Sequence, residues 1–435
     1  MKNNKFIFLF VMSLIVPAIL SFSSCERNST TDDGRVRLTL WHTYVGADQR
    51  AEFMTRRMEQ FRAENPDIVI DEQRIPRDQY MTRIRTVAAA GDLPNVFVSW
   101  PNAPVREYVE AGLLSDINGL LERERAWSNS ILPIAKDQFT VNGRTYSVGL
   151  GISITSLFFY NKELFDRYNV RVPTTYDELI TAIETFKANG IIPIALGNRA
   201  RWPAQSSIFS IVADRITGSP WLFDALENRN GARFTDTVFI RSLNIMHELA
   251  DREAFNRDYN TVDDVQGRSY FYRSEAAMMI NGSWVIPDMV ANLSQDMKEN
   301  IEIITFPVIS GGLGVPETFS GVSATGLVIS ARSNAAQRAA AEKLIYFLTN
   351  DEAQKMYMEY HIPVSSRTVQ PDLLNTDIIY AKLVKAMQAH PNMVTVYDSA
   401  LSSEQTEIVN NGLQSIMLNM ETSQQIAERL HRTVH

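Results

Sequence analysis

Past the first 35 residues, the body of the chain starts on a strand-like alternation. Residues 36–41, Val-Arg-Leu-Thr-Leu-Trp, place apolar and polar side chains on opposite faces, which predicts a strand with one face buried. The run ends in a polar-aromatic loop, His42-Thr43-Tyr44-Val45-Gly46. The period then changes. Ala51, Met54, Met58 and Phe61 share one face of a helix that Asn65-Pro66 ends. A strand is predicted over 68–70 and a helix over 78–90, with Met81, Ile84 and Val87 or Ala88 inward. The turn Gly91-Asp92-Leu93-Pro94 leads into a strand over 95–100. This β-α-β-α-β order predicts a parallel sheet covered by helices.

Beyond it, 106–121 reads as a helix broken at Gly112, and Asn142-Gly143 centres a hairpin over 140–146. Residues 156–160 form a buried strand. Thr175 and Glu178 make a capping box that opens a helix burying Leu179, Ile183 and Phe186. A strand over 191–196 delivers the loop 197–203, which carries Arg199, Arg201 and Trp202, and helices follow over 203–217 and 236–252. The stretch 271–284, Phe-Tyr-Arg-Ser-Glu-Ala-Ala-Met-Met-Ile-Asn-Gly-Ser-Trp, is the one the rest is arranged around. Its apolar run stops at the turn Asn281-Gly282, with Trp284 just past it. The C-terminal end of a strand in an open α/β sheet faces the ligand crevice, so Trp284 reads either as a core residue or as a flat platform for a sugar ring or any other flat apolar ligand. A Pro-capped helix from Ile286 and a strand over 301–306 come next. The Gly-rich 311–314 reads as a flexible connector. A strand over 325–330, helices over 334–349 and 351–360 and a mostly helical tail complete the chain.

A length of 435 residues exceeds one ordinary core and suits two lobes. A net charge of −8 argues against a nucleic-acid partner. Six His and one Cys form no cluster, so no metal site and no cofactor are expected. The single Cys25 follows a basic start (Lys2, Lys5), an apolar segment over 6–20 and the small residues Ser21, Ser23 and Ser24. This pattern is an export signal, and it resembles a bacterial lipoprotein signal in which Cys25 becomes the lipidated end of the mature chain. Residues 1–25 are then the signal peptide and the polar 26–34 a tether.

Catalytic motifs are incomplete. His247-Glu248 lacks the second His of a zinc-protease helix. Gly321-Val322-Ser323-Ala324-Thr325 has Thr where a nucleophile elbow needs Gly. The Gly-rich 311–314 has no Lys-Ser/Thr of a phosphate loop, and Asp263-Asp264 reads as solvated charge. The aromatic residues carry more. Five of six Trp stand beside turns or loops, and Trp41, Trp100 and Trp284 end predicted strands, a grouping that favours a ligand crevice.

Leu38-Thr39-Leu40-Trp41-His42-Thr43-Tyr44 resembles the first strand and loop of the extracellular solute-binding proteins of sugar ABC transporters. So do Phe159-Tyr160-Asn161-Lys162-Glu163-Leu164-Phe165 and the segment 172–179. The stretch 271–284 is similar to the family pattern F-x-x-G-x-A-A-M-x-x-x-G-x-W at Phe271, Ala276, Ala277, Met278, Gly282 and Trp284, with Ser274 in place of the first Gly. Residues 340–349 resemble the family's late helix.

The resemblance implies a two-lobed α/β fold of the periplasmic-binding-protein type (type II), each lobe a sheet flanked by helices. Lobe one would comprise 35–153 plus 320–366 and lobe two 154–319 plus 367–435, with a carbohydrate ligand in the cleft between them. It implies a binding protein and not an enzyme, exported, lipid-anchored on the outer face of the cell membrane, monomeric, and delivering its ligand to ABC permease subunits. Candidate ligand residues are His42, Thr43 and Trp100 from lobe one, and Trp202, Asn281 and Trp284 from lobe two. Arg199 and Arg201 would read an acidic sugar if they point inward, since Arg pairs carboxylates bidentately; Trp221 and Arg367 complete the set. An exported carbohydrate-active enzyme, and a scaffold or adhesin without transport, remain open as alternatives.

Overall fold

A computed structural model describes residues 30–434 apart from 32, 47 and 48. The signal segment and Cys25 lie outside the described residues. No described helix is long and apolar enough to cross a membrane.

Strands β1 (Val36–His42), β2 (Ile68–Arg74) and β3 (Val96–Ser99) are parallel, as the β-α-β-α-β pattern predicts. β4 (Leu114–Ser115) is the far edge of the same sheet. The hairpin β5 (Thr140–Val141) and β6 (Arg144–Thr145) turns on Asn142 and Gly143, both with positive φ, as a tight two-residue turn requires. After β7 (Ile152–Ile154) a second sheet collects β8 (Leu157–Asn161), β9 (Ile192–Ala195), β10 (Ala276–Asn281) and β11 (Ile301–Ile304) in the order β11-β8-β10-β9. β10 is buried at every residue because strands flank it on both sides and helices cover its faces, which is why its sequence is an unbroken apolar run. β12 (Phe319–Ser323) and β13 (Gly326–Ser330) follow. β13 inserts antiparallel between β3 and β4, giving the first sheet the order β2-β1-β3-β13-β4. The last strand, β14 (Met393–Thr395), pairs with β12, and β12 with β7, in a third sheet of order β14-β12-β7.

The apolar clusters follow this division. One gathers side chains from 38–152 and 327–362, such as Leu40, Phe61, Phe97, Val328 and Leu344. Two others gather 154–319 and 379–430, such as Phe158, Phe186, Phe209, Met278, Ile286 and Leu413. The fold is a two-lobed α/β arrangement. The β14-β12-β7 sheet lies where the cores meet, with Met393 packed on both sides.

Two local expectations are corrected. The predicted helix over 106–121 is a helix Ala103–Glu110, a turn at Gly112 with φ +69°, strand β4 and a second helix Asn118–Arg123. The glycine connector is not free. A Cβ on Gly312 or Gly314 would run into the backbone of Arg215 or Asp214, so these glycines serve close approach. The buried Arg215 guanidinium then holds the segment through the carbonyls of Val315 (2.8 Å) and Thr318 (2.6 Å).

A candidate ligand cleft between the lobes

At the end of β1 the chain turns its polar groups inward. His42 is fully buried, and its Nε2 lies 2.9 Å from Glu72 Oε1 on β2. Glu72 also accepts from Arg62 and from Arg74 Nε at 2.6 Å. Burial alone would raise the Glu72 carboxyl, but His42, Arg62 and Arg74 together hold it down to about 2. His42 Nδ1 accepts the Tyr44 N–H at 3.2 Å. The sequence expectation has His42 facing a ligand; instead it braces the loop from below, because a parallel strand covered on both faces leaves its last residue enclosed. Thr43 is half-buried on that loop, and the next residue, Tyr44, places its hydroxyl 3.0 Å from Thr325 Oγ1 at the start of the turn into β13.

Three of the expected tryptophans come together. The Trp202 and Trp284 rings lie 5.5 Å apart, nearly edge to face. The guanidinium of Arg77, first residue of the helix Arg77–Ala89, lies 4.4 Å from the Trp202 ring centre and 5.4 Å from that of Trp100. Tyr80 stands against the other indole, its ring 6.0 Å from Trp100. Arg77 and Trp100 belong to elements of the first core, Trp202 and Trp284 to elements of the second, so this group spans the two lobes. Gly282 explains part of the motif at 281–284. A Cβ there would collide with the six-membered ring of Trp284, which folds back on the turn. The Trp284 indole N–H is buried and has no partner among the described residues; the same holds for both amide atoms of Gln205.

Two carboxylates complete the site. Asp398 accepts from Ser206 Oγ at 2.9 Å. Asp264 accepts from Asn281 Nδ2 at 2.7 Å. Burial raises both carboxyls, opposed by hydrogen bonds and by the facing cations, Arg77 for Asp398 and Arg268 and Arg50 for Asp264. Burial conversely lowers Arg77, opposed by Asp398, Asp78 and Asp264. Arg77 nonetheless keeps 34% of its side chain exposed. The sequence pattern places Asp264 among solvated charges. The structure corrects this: Asp263 caps the helix Asp264–Tyr272, and Asp264 faces inward onto Asn281.

The remaining expected residues are engaged with other partners. Arg199 is exposed and paired with Asp263 at 2.9 Å. Arg201, held at φ +68°, bonds Asn411 and lies 3.4 Å from Glu407. Arg367 is exposed and reaches the carbonyl of Ile131 at 3.2 Å. Trp221 stacks on Phe239 at 5.6 Å and gives its N–H to Asp236 at 3.3 Å, lining a separate cavity of about 400 Å³ with Pro220, Asp224 and Leu313. Arg77, Gln205 and Asp398 had no sequence signal. A charge at a helix start and a polar residue in a helix both read as solvated, and Asp398 meets Ser206 across 192 positions of chain.

Two lobes with an aromatic, charge-lined slot between them define a ligand clamp. The model of bacterial extracellular solute-binding proteins matches residues 56–411, and the chain belongs to that family. It is 25% identical over 362 residues to the multiple sugar-binding protein of Streptococcus mutans, covering 80% of each chain. With the melibiose/raffinose/stachyose-binding protein of Bacillus subtilis it shares 24% identity over 328 residues, 72% of this chain and 70% of the other. A structure from work on xylan utilization by Caldanaerobius polysaccharolyticus superposes with a TM-score of 0.83 at 26% identity, covering 92% of this chain and all of that one. A chitin oligosaccharide binding protein shares the fold at a TM-score of 0.82 and 21% identity, over 91% of this chain and 98% of its own.

Proposed function

We propose that this chain is the extracytoplasmic substrate-binding component of an ABC importer. It captures a sugar or oligosaccharide by closing two lobes over it and hands it to membrane permease subunits. The observation that carries this reading is the meeting of Trp100, Trp202 and Trp284 from opposite lobes around one slot. Indoles offer flat apolar faces to sugar rings, and the Trp284 N–H and Gln205 amide offer unpartnered hydrogen-bonding groups to hydroxyls. Relatives named for binding sugars support the ligand class.

In this reading lobe one is 35–153 plus 320–366 and lobe two 154–319 plus 367–435. The strands β7 and β12 carry two of the crossings. Ligand favours the closed form because both lobes touch it. The bound sugar leaves unchanged, with no catalytic step. The protein is a monomer, exported and held to the membrane by a lipid on Cys25. Trp202, Trp284 and Trp100 stack on the ligand, with Asn281 and Thr43 at its edge. Because Arg199 is paired with Asp263 and Arg201 lies near Glu407, a neutral sugar is favoured over an acidic one.

Thermal unfolding of the protein against a panel of neutral and acidic mono- and oligosaccharides tests this. A ligand at a hundred times its Kd adds about 2.7 kcal/mol of stability, enough to move the melting temperature visibly. A shift with neutral sugars is the expected result. No shift with any of them would remove the sugar reading, and turnover of a bound oligosaccharide would make the protein an enzyme.

A further inference from the structure

The slot between Trp100 and Trp202 already has an occupant. Arg77 enters it from the first turn of its helix, and its planar guanidinium approaches both indoles, closer to Trp202. Trp202 meets Trp284 as well, and Trp100 meets Tyr80. Each of the two indoles thus has one aromatic neighbour and the same cation. Across the slot stand Asp398, fixed by Ser206, and Asp264, fixed by Asn281. A guanidinium is flat, weakly hydrated and suited to lie on an aromatic face. A sugar ring seeks the same face for the same reason.

We infer that Arg77 is a gate: its guanidinium occupies the stacking face of Trp202, and a ligand binds there only by displacing it. This rests on the proposed sugar-binding reading and adds a residue that contributes by leaving. The displaced side chain has somewhere to go. Asp78 is adjacent, 3.5 Å from Arg77 Nη1 and half exposed, so the cation can swing toward solvent while keeping a carboxylate beside it. Arg77 also links elements of the two cores through Trp202. Its departure therefore loosens the ligand-free contact between the lobes at the moment the ligand arrives. A gate of this kind acts on the rate of entry, whereas a side chain that bonds the bound sugar acts chiefly on the rate of exit.

Stopped-flow binding of a panel sugar, followed by intrinsic tryptophan fluorescence, separates the two for the wild-type protein, Arg77→Ala and Arg77→Lys. The gate predicts an association rate constant at least about fivefold higher in Arg77→Ala. A smaller rise is expected in Arg77→Lys, which keeps the charge without the plane. An association rate that is unchanged or lower in Arg77→Ala overturns the proposal, and faster dissociation beside it would make Arg77 a direct ligand contact. If no sugar binds even the wild-type protein, the sugar reading fails by itself, and the gate is then read in the ligand-free state. Acrylamide should quench the tryptophans more strongly in Arg77→Ala than in wild type; equal quenching would overturn the gate. Circular dichroism confirms that the variants compared are folded.

Discussion

The two walls of the cleft are finished to different degrees. Under the first wall, at the end of β1, the polar groups answer one another: His42 meets Glu72, Glu72 meets Arg62 and Arg74, and the Tyr44 N–H meets His42. In the second lobe, the Trp284 N–H and the Gln205 amide are buried without partners among the described residues. A buried polar group left unpaired costs on the order of 1–3 kcal/mol. The first wall is a brace that holds a loop in place. In the second lobe, under the proposed reading, these groups are left for a ligand. Polarity alone therefore does not mark a binding residue. His42 is a more conspicuous residue than Gln205, yet its chemistry is already engaged.

Four measurements would break or sharpen this contrast. The largest effect is expected at the brace. Glu72 has a folded pKa of about 2 against an ordinary 4.5. A depressed carboxylate adds stability that is fully present above the ordinary value and lost as pH falls through the folded one. Glu72→Gln should therefore lower stability by about 3 kcal/mol at pH 7. Denaturant titrations from pH 7 downward should show this gap closing between about pH 4.5 and pH 2. Sugar affinity in the folded variant should stay near that of wild type, and a gap independent of pH would show that the network is not the source. The next effect lies on the other wall. Trp284→Ala should weaken sugar binding by about tenfold or more, with little change in unfolding temperature. Gly282→Ala should weaken it similarly by pushing the indole off its seat, and calorimetry that finds wild-type affinity in both variants would remove Trp284 from the site.

A smaller effect tests closure without touching ligand. Glu107, on the helix Ala103–Glu110, accepts the Ser403 N–H and hydroxyl, both at 2.6 Å, at the N-terminus of a helix in the second core. A carboxylate at a helix N-terminus is favourable. Glu107→Ala should lower sugar affinity by about threefold by making the closed form less populated. Small-angle scattering should show a larger ligand-free particle, and unchanged dimensions would place this contact outside the closing motion. The smallest effect is expected at Arg199. Arg199→Ala should leave neutral-sugar affinity within about twofold, as an exposed ion pair implies; a loss of tenfold would bring that loop back into the site.

Much of the framework was legible in the sequence. The strands at 36–42, 157–161 and 276–281 announce themselves by alternation or by unbroken apolar runs, and the capping box at Thr175 and Glu178 forms as its spacing predicts. The joining sheet was harder to read. β7, β12 and β14 are three to five residues long and mix Ser, Thr and Gly with a few apolar side chains, too short for a period to stand out. At the site, the tryptophans were visible because several stand together beside turns and at strand ends, where an open α/β sheet faces its crevice. Arg77 and Asp398 were not, since each gains its meaning from a partner distant in sequence. The glycines at 312 and 314 show the reverse failure. Their composition suggests freedom, while the packing of Arg215 and Asp214 removes it.

The narrow sheet of β14, β12 and β7 has a consequence for how reproducibly the molecule works. A hydrogen-bonded ribbon bends across its face through small dihedral changes spread over several residues. Sliding in its own plane would break a whole ladder at once. Two jaws joined by such a ribbon can swing while losing almost none of their alignment, and each swing returns the same atoms to the same places. Fidelity then resides in the joint as much as in the jaws. A clamp jointed in this way would act as a calliper, gauging whatever lies between its arms against a fixed zero.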